Sequence, residues 1–138
     1  MDKALNYLAL ARKAGLAELG EEPVGDVTRT GKGYLVMVAS DASDHTWRRA
    51  KSYVAGTEQQ CIRMKYTKEE LGFAIGRSSL AIAAITDAPM ALALVNALDE
   101  PEKHKAVIEV LSAKTVKVKK RQQEAKAHQR NVRMGKKK

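Results

Sequence analysis

The sequence predicts an α/β fold, a three-layer α-β-α sandwich with a basic C-terminal extension, and three observations carry that prediction. Leu35 to Ala39 is continuously apolar, and so is Leu80 to Ile85 before Thr86. A strand facing water on one side would alternate, so both belong at the centre of a sheet covered on two faces. Helical and strand patterns alternate along residues 1–98, the order from which layered α/β sheets are built. The charge is divided: residues 1–100 hold 12 Lys+Arg against 13 Asp+Glu, whereas residues 101–138 hold 13 against 3. A near-neutral body therefore carries a polycationic end. At 138 residues the chain is long enough for one core and short for two. Residues 1–100 are expected to form one domain and residues 101–138 a basic extension, partly helical or disordered.

The first helix follows Asp2, with Leu5, Leu8 and Ala9 on one face, Arg12 and Lys13 in its last turn and Gly15 beyond. Leu16 to Leu19 is short enough for an edge strand. Glu21, Glu22 and Pro23 suit the start of a second helix, with Val24 and Val27 inward and Gly31-Lys32-Gly33 as its end. Gly25 inside it costs about 1 kcal/mol relative to Ala. After the strand at Tyr34 to Ala39, the side-chain oxygens of Ser40, Asp41, Ser43 and Asp44 are available to cap a third helix. There Trp47, Ala50 and Val54 face inward and Arg48, Arg49 and Lys51 outward, and Gly56 closes it. Gln60 to Tyr66 sets Ile62 and Met64 against Arg63 and Lys65 at period two, a less buried strand. Thr67 to Glu70 is a capping box leading to Leu71, Ala74 and Ile75, with Gly76 as the stop. Leu80 to Thr86 is the last strand, and Asp87 caps an apolar fifth helix through Leu98. Parallel neighbours joined this way cross over right-handedly. Val107, Val110 and Leu111 support one more helical stretch, whereas apolar residues are too sparse from Lys114 onward for the tail to order itself alone.

Several function classes are poorly served. Cys61 is the only cysteine, so neither an intramolecular disulfide nor a thiolate metal cluster can form, which suits a reducing compartment. The first residues lack a signal-peptide pattern and no apolar run has membrane-span length; a cytoplasmic protein is expected. Gly25 to Gly33 imitates a phosphate-binding loop, but five residues separate Gly25 from Gly31 where the motif needs four, and Gly33 stands where Ser or Thr would hold magnesium. Ser43, Asp44 and His45 are sequence neighbours that serve better as caps than as a triad. His45, His104 and His128 are too scattered for a metal site, and the last two, among cations, read as solvated or phosphate-facing. No enzyme, metal or cofactor is expected.

The tail carries Lys114, Lys117, Lys119, Lys120, Arg121, Lys126, Arg130, Arg133, Lys136, Lys137 and Lys138 against the single Glu124. Eleven cations in 25 residues, without an apolar face bearing Trp or Phe, point to nucleic acid rather than to a membrane.

Leu8 to Gly15, Gly20 to Glu22, Thr30 to Lys32, Leu35 to Ser43 and Thr67 to Gly76, followed by Leu80 to Asp87, resemble in order and spacing the bacterial branch of the kink-turn RNA-binding ribosomal protein family, the L-seven-Ae and L-thirty-e type. The resemblance spans nearly all of residues 1–98. It implies an L-thirty-e-like sandwich, no catalysis, and binding of structured RNA. In that family the start of the second helix reads guanines of sheared G·A pairs, a Lys one turn later meets phosphate, and the loop before the last strand touches flipped bases. Carried over, the implied RNA-binding residues are Gly20, Glu21 and Glu22 with Arg77, Ser78, Ser79 and Leu80. Lys32, within the third matching motif, is counted with them, and the tail residues Lys114, Lys117, Lys119, Lys120 and Arg121, which the resemblance does not cover, are added on their charge. The chain departs from the pattern where an acid replaces the usual Asn and where Asp26 occupies the expected Lys position, an acid facing phosphate.

The expected function is non-enzymatic binding of structured, ribosomal or kink-turn-like RNA, near the ribosome, by a protein that is monomeric off RNA and makes no membrane contact. The alternative is a ribosome or partner-protein docking module without specific RNA reading, whose tail holds nucleic acid non-specifically.

Overall fold

The computed structural model describes residues 2–133, with side chains as far as Ala127. The side chains of His128, Arg130 and Arg133, and all of Lys136, Lys137 and Lys138, lie outside the described residues. The elements are α1 (Lys3–Lys13), β1 (Ala17–Leu19), α2 (Glu21–Arg29), β2 (Leu35–Val38), α3 (Asp44–Val54), β3 (Gln60–Arg63), α4 (Lys68–Ala74), β4 (Ile82–Ile85), α5 (Ala88–Ala97) and α6 (Lys105–Arg133).

The two continuously apolar segments are the two central strands of a sheet ordered β1-β4-β2-β3. Leu35, Val36, Val38 and Ile85 are fully buried and Ile82 nearly so. Register pairs Leu35 with Ile85 and Val38 with Ile82. Helices α2 and α3 cover one face; α1, α5 and α6 cover the other. Val36 and Val38 point toward α2 and α3 with their partners Ala84 and Ile82, while Leu35 and Met37 point toward α1 and α5. Only β2 and β3 pair in parallel, joined through α3; β4 runs antiparallel to both β1 and β2. The reason is local. The chain leaving the seven-residue α4 turns back beside its start, where the Leu80 amide donates to the Lys68 carbonyl at 2.9 Å. It therefore enters β4 from the end at which β3 finished.

Predicted caps hold at Ser43, Asp87 and the Thr67–Glu70 box. Two acids do other work. The Asp2 carboxylate accepts from the Tyr66 hydroxyl at 3.1 Å, tying α1 to the chain after β3, and Asp41 accepts from the Lys68 amide at 2.8 Å, capping α4 rather than α3.

The extension is helical well beyond the stretch that Val107, Val110 and Leu111 predicted. Helix α6 is continuous through Arg133. Leu111 is buried, Val107 and Ile108 pack against the core, and the Thr115 hydroxyl bonds back to the Leu111 carbonyl. This docked half supplies the costly nucleus, after which each added residue gains a hydrogen bond in a run of Lys, Arg, Gln, Glu and Ala that favours helix. His104, read from sequence as solvated or phosphate-facing, is instead 4% exposed, with its Nε2 3.6 Å from Glu100 Oε1. It lies just before α6, where the chain folds back onto α5. Among the described residues no helix is long and apolar enough to cross a membrane.

Candidate nucleic-acid interface

One end of the sheet gathers the helix starts. β1 leads into α2, β2 into α3 and β3 into α4 at this end, so backbone amides with no intrahelical acceptor and the positive ends of the helix dipoles face the same way. The loop into β4 joins them, because β1 and β4 are antiparallel. Leu19 pairs with Ala83, and the Gly20 amide donates to the Ile82 carbonyl at 3.0 Å. Gly20 to Glu22 and Arg77 to Ser79 therefore lie at the same end of the sheet.

Two glycines make this arrangement possible. Gly20, the residue before α2, has a φ of 101°, a conformation that residues with a Cβ rarely adopt. Gly72 lies within α4, and a Cβ there would come within 2.6 Å of the Ser79 backbone and 2.9 Å of the Arg77 carbonyl oxygen. Without a side chain at 72, the loop folds down onto the helix, and the Arg77 amide bonds the Gly72 carbonyl at 2.8 Å.

The residues singled out from sequence divide between two ends of the molecule. Glu22, Arg77, Ser78 and Ser79 are exposed at the gathered end. Glu21 is half-buried there and accepts from the Thr46 hydroxyl at 3.4 Å, linking the starts of α2 and α3. Leu80 is a correction: at 4% exposure its side chain belongs to the core, and it anchors the loop instead of offering it a surface. Lys32 is another. It precedes Gly33, whose amide bonds the Gln59 side chain before β3, and so lies at the opposite end of the sheet from Gly20 and Arg77. Lys114 is at that far end too, its Nζ 2.9 Å from Glu58 Oε1, a contact that holds the Glu58 carboxyl below its usual range. Exposed Lys117, Lys119, Lys120 and Arg121 follow it outward along α6.

Asp26, at the position where the resemblance expects Lys, pairs with Arg29 at 2.6 Å on the exposed side of α2. That pairing offsets the local charge that would repel a phosphate. Gly25 meets α3: a Cβ there would stand 3.3 Å from the Tyr53 ring.

Sequence reading passed over Gly72 and Phe73. A glycine inside an otherwise apolar helical pattern was the available signal for the first. For Phe73 no local signal existed, since its period fits neither face decisively.

No protein-family model matches the sequence. The RNA-binding protein YlxQ of Enterococcus faecium is 34% identical over 76 residues, which is 54% of this chain and 72% of that protein. Among solved structures, a protein with unknown function from Bacillus halodurans superposes with a TM-score of 0.67 at 28% identity, over 72% of this chain and 100% of the other. The 15.5kD RNA binding protein of Giardia lamblia superposes with a TM-score of 0.53 at 19% identity, over 75% of this chain and 85% of the other, and shows likeness of fold alone. The order of motifs, the sandwich they build and the extent of the YlxQ match agree: the chain belongs to the YlxQ-like family of L-seven-Ae-type proteins.

Proposed function

We propose that this protein binds structured RNA without catalysis, through the surface made by Gly20 to Glu22 and Arg77 to Ser79, and that it works in association with the ribosome. The observation that supports the reading is the bond between the Gly20 amide and the Ile82 carbonyl, which ties the start of α2 to the start of β4, at the end of the sheet where Arg77 to Ser79 also lie. The pair joins amide donors and a helix dipole suited to anionic or electron-rich groups to an exposed arginine that can meet phosphate. The name of the Enterococcus relative supports RNA as the partner class. The α6 cations supply further phosphate contacts, which position an RNA without reading its sequence.

A second reading is favoured by the outer side of α2, where Glu18, Glu22 and Asp26 line one shallow surface. On that reading the fold serves as a docking module that no longer reads RNA specifically. One set of RNAs separates the two: a kink-turn duplex, the same duplex with its G·A pairs changed to Watson-Crick pairs, and single-stranded RNA, compared at physiological salt. Tighter binding of the first supports specific recognition of structured RNA, whereas equal binding of all three supports the docking module.

A further inference from the structure

Beside the gathered end, an open groove of about 1110 Å³ runs between α1 and α4 and includes Leu5, Glu69, Phe73, Arg77, Ser78 and Ser79. Its unusual member is Phe73. It is the only phenylalanine in the chain and is 76% exposed, although large aromatic rings are normally among the best-buried groups. Packing does not require it, because α4 docks through Leu71, with Ile75 just past its end, both buried. Glu69 lies one helical turn before Phe73 on the same face, and Arg77 follows past the helix end.

The charges limit what can enter. Asp2, Asp41, Glu69 and Glu70 all border the groove, against Lys68 and Arg77. A phosphate backbone running along four carboxylates would be repelled, so only the uncharged part of a nucleotide fits inside. Three of the four carboxylates already accept structural hydrogen bonds, Asp2 from Tyr66, Asp41 from the Lys68 amide and Glu70 from the Thr67 amide. Glu69 is the one that makes no hydrogen bond among the described residues, and it stands in line with the ring.

We propose that this groove takes one unpaired nucleobase of the bound RNA, guanine best, stacked on Phe73 with its Watson-Crick edge toward Glu69 and its phosphate at Arg77. The proposal rests on the RNA-binding reading and deepens it by naming a base site on α4, at Phe73 and Glu69, that adjoins the Arg77 to Ser79 loop. Unstacked bases in loops and bulges are the usual targets of sequence-specific RNA recognition, held on aromatic rings and read along their edges. Guanine presents two adjacent N–H donors on that edge, matching two carboxylate oxygens. Uracil presents one N–H flanked by carbonyls, which face a carboxylate unfavourably.

The test uses the full chain and two RNAs, an internal-loop duplex with tandem G·A pairs and one unpaired guanosine, and the same duplex with that nucleotide abasic. Fluorescence anisotropy reads the affinities. Wild type should prefer the guanosine RNA by about 5- to 150-fold, the range of a single base stack. Phe73→Ala should erase the preference without changing Tm, Phe73→Trp should keep it, and Glu69→Gln should narrow discrimination of guanosine from uridine while preserving preference over the abasic site. Equal losses on both RNAs with Phe73→Ala would overturn the proposal. So would wild-type affinity and preference in Phe73→Ala. Binding of neither RNA by the wild-type chain would remove the RNA reading itself, and the base site with it.

Discussion

Replacing Gly72 by alanine tests how the proposed binding loop is held. The new Cβ would approach both the Cα and the amide nitrogen of Ser79 to 2.6 Å, where non-bonded carbon atoms prefer about 3.5–4.0 Å. Something must retreat by about 1 Å, and the atoms in the way are backbone. They are pinned on both sides by the Arg77 to Gly72 and Leu80 to Lys68 hydrogen bonds. Overpacking of this kind costs about 1–3 kcal/mol, and the better helix propensity of alanine returns about 0.8–1 kcal/mol. Because two backbone atoms clash, the upper half of the cost range applies and a net loss of about 1–2 kcal/mol is expected. In a domain of this size that lowers Tm by about 3–8 °C. Gly25→Ala is the control. There the nearest atoms, at 3.3–3.4 Å, belong to the far end of the Tyr53 side chain, which can shift, so the helix gain survives and Tm should hold or rise. Thermal melts by circular dichroism decide it: a Gly72→Ala protein as stable as wild type would mean that the loop does not depend on this close approach.

Arg77→Ala should weaken binding of a folded RNA by about tenfold, the worth of one charge-assisted contact, while Arg12→Ala, at the far end of the sheet, should not; equal effects in a titration would remove the case for the loop. Truncation after Val118 deletes nine of the eleven tail cations but keeps the docked Leu111 and Thr115. If about six of the eleven meet phosphate, log affinity should fall against log salt with a slope near −4 to −5. The truncated protein should lose at least half of that slope and keep its discrimination between RNAs; an unchanged slope would mean the tail is only solvated. His104 is held below its ordinary pKa, chiefly by burial and further by Lys103, with Glu100 pulling the other way. The unfolded chain therefore takes up this proton first as pH falls through about 6.5, so stability is full above that pH and lost below it. His104→Gln should flatten the fall in Tm between about pH 7.5 and about pH 5, and parallel curves for the two proteins would refute the assignment.

The sheet and its covering helices were legible because burial leaves a periodic trace. Leu35 to Val38 could not alternate if both faces were covered, and Thr67 to Glu70 could hardly be read except as a cap. What escaped depends on contacts between residues distant in the chain. His104 is flanked by Lys103 and Lys105 and so reads as solvated, but the turn between α5 and α6 folds it inward, where only tertiary packing decides its environment. Leu80 shares a loop with Arg77 yet faces the core, because one residue more or less at a strand start reverses the direction of a side chain. The role of Gly72 is set by Ser79, which meets it only after the loop has turned back.

The most consequential feature hidden from sequence is the direction of α6. Lys65 Nζ bonds the Leu98 carbonyl at 3.0 Å, so α5 finishes near the end of β3, at the gathered end, and α6 starts there and runs back. By the Lys114 to Glu58 contact it has crossed the sheet. The four-residue strands span about 13 Å, and from Lys114 to Arg133 the helix extends a further distance of about 29 Å. In the proposed binding mode, a phosphate at Arg77 and one at Lys120 are therefore too far apart to be neighbours on one strand. The tail reaches a different part of the RNA from the part that the loops read. Added cations along α6 can then raise affinity through counterion release while the choice between RNAs stays with the other end, which is why affinity and selectivity should separate when the tail is removed.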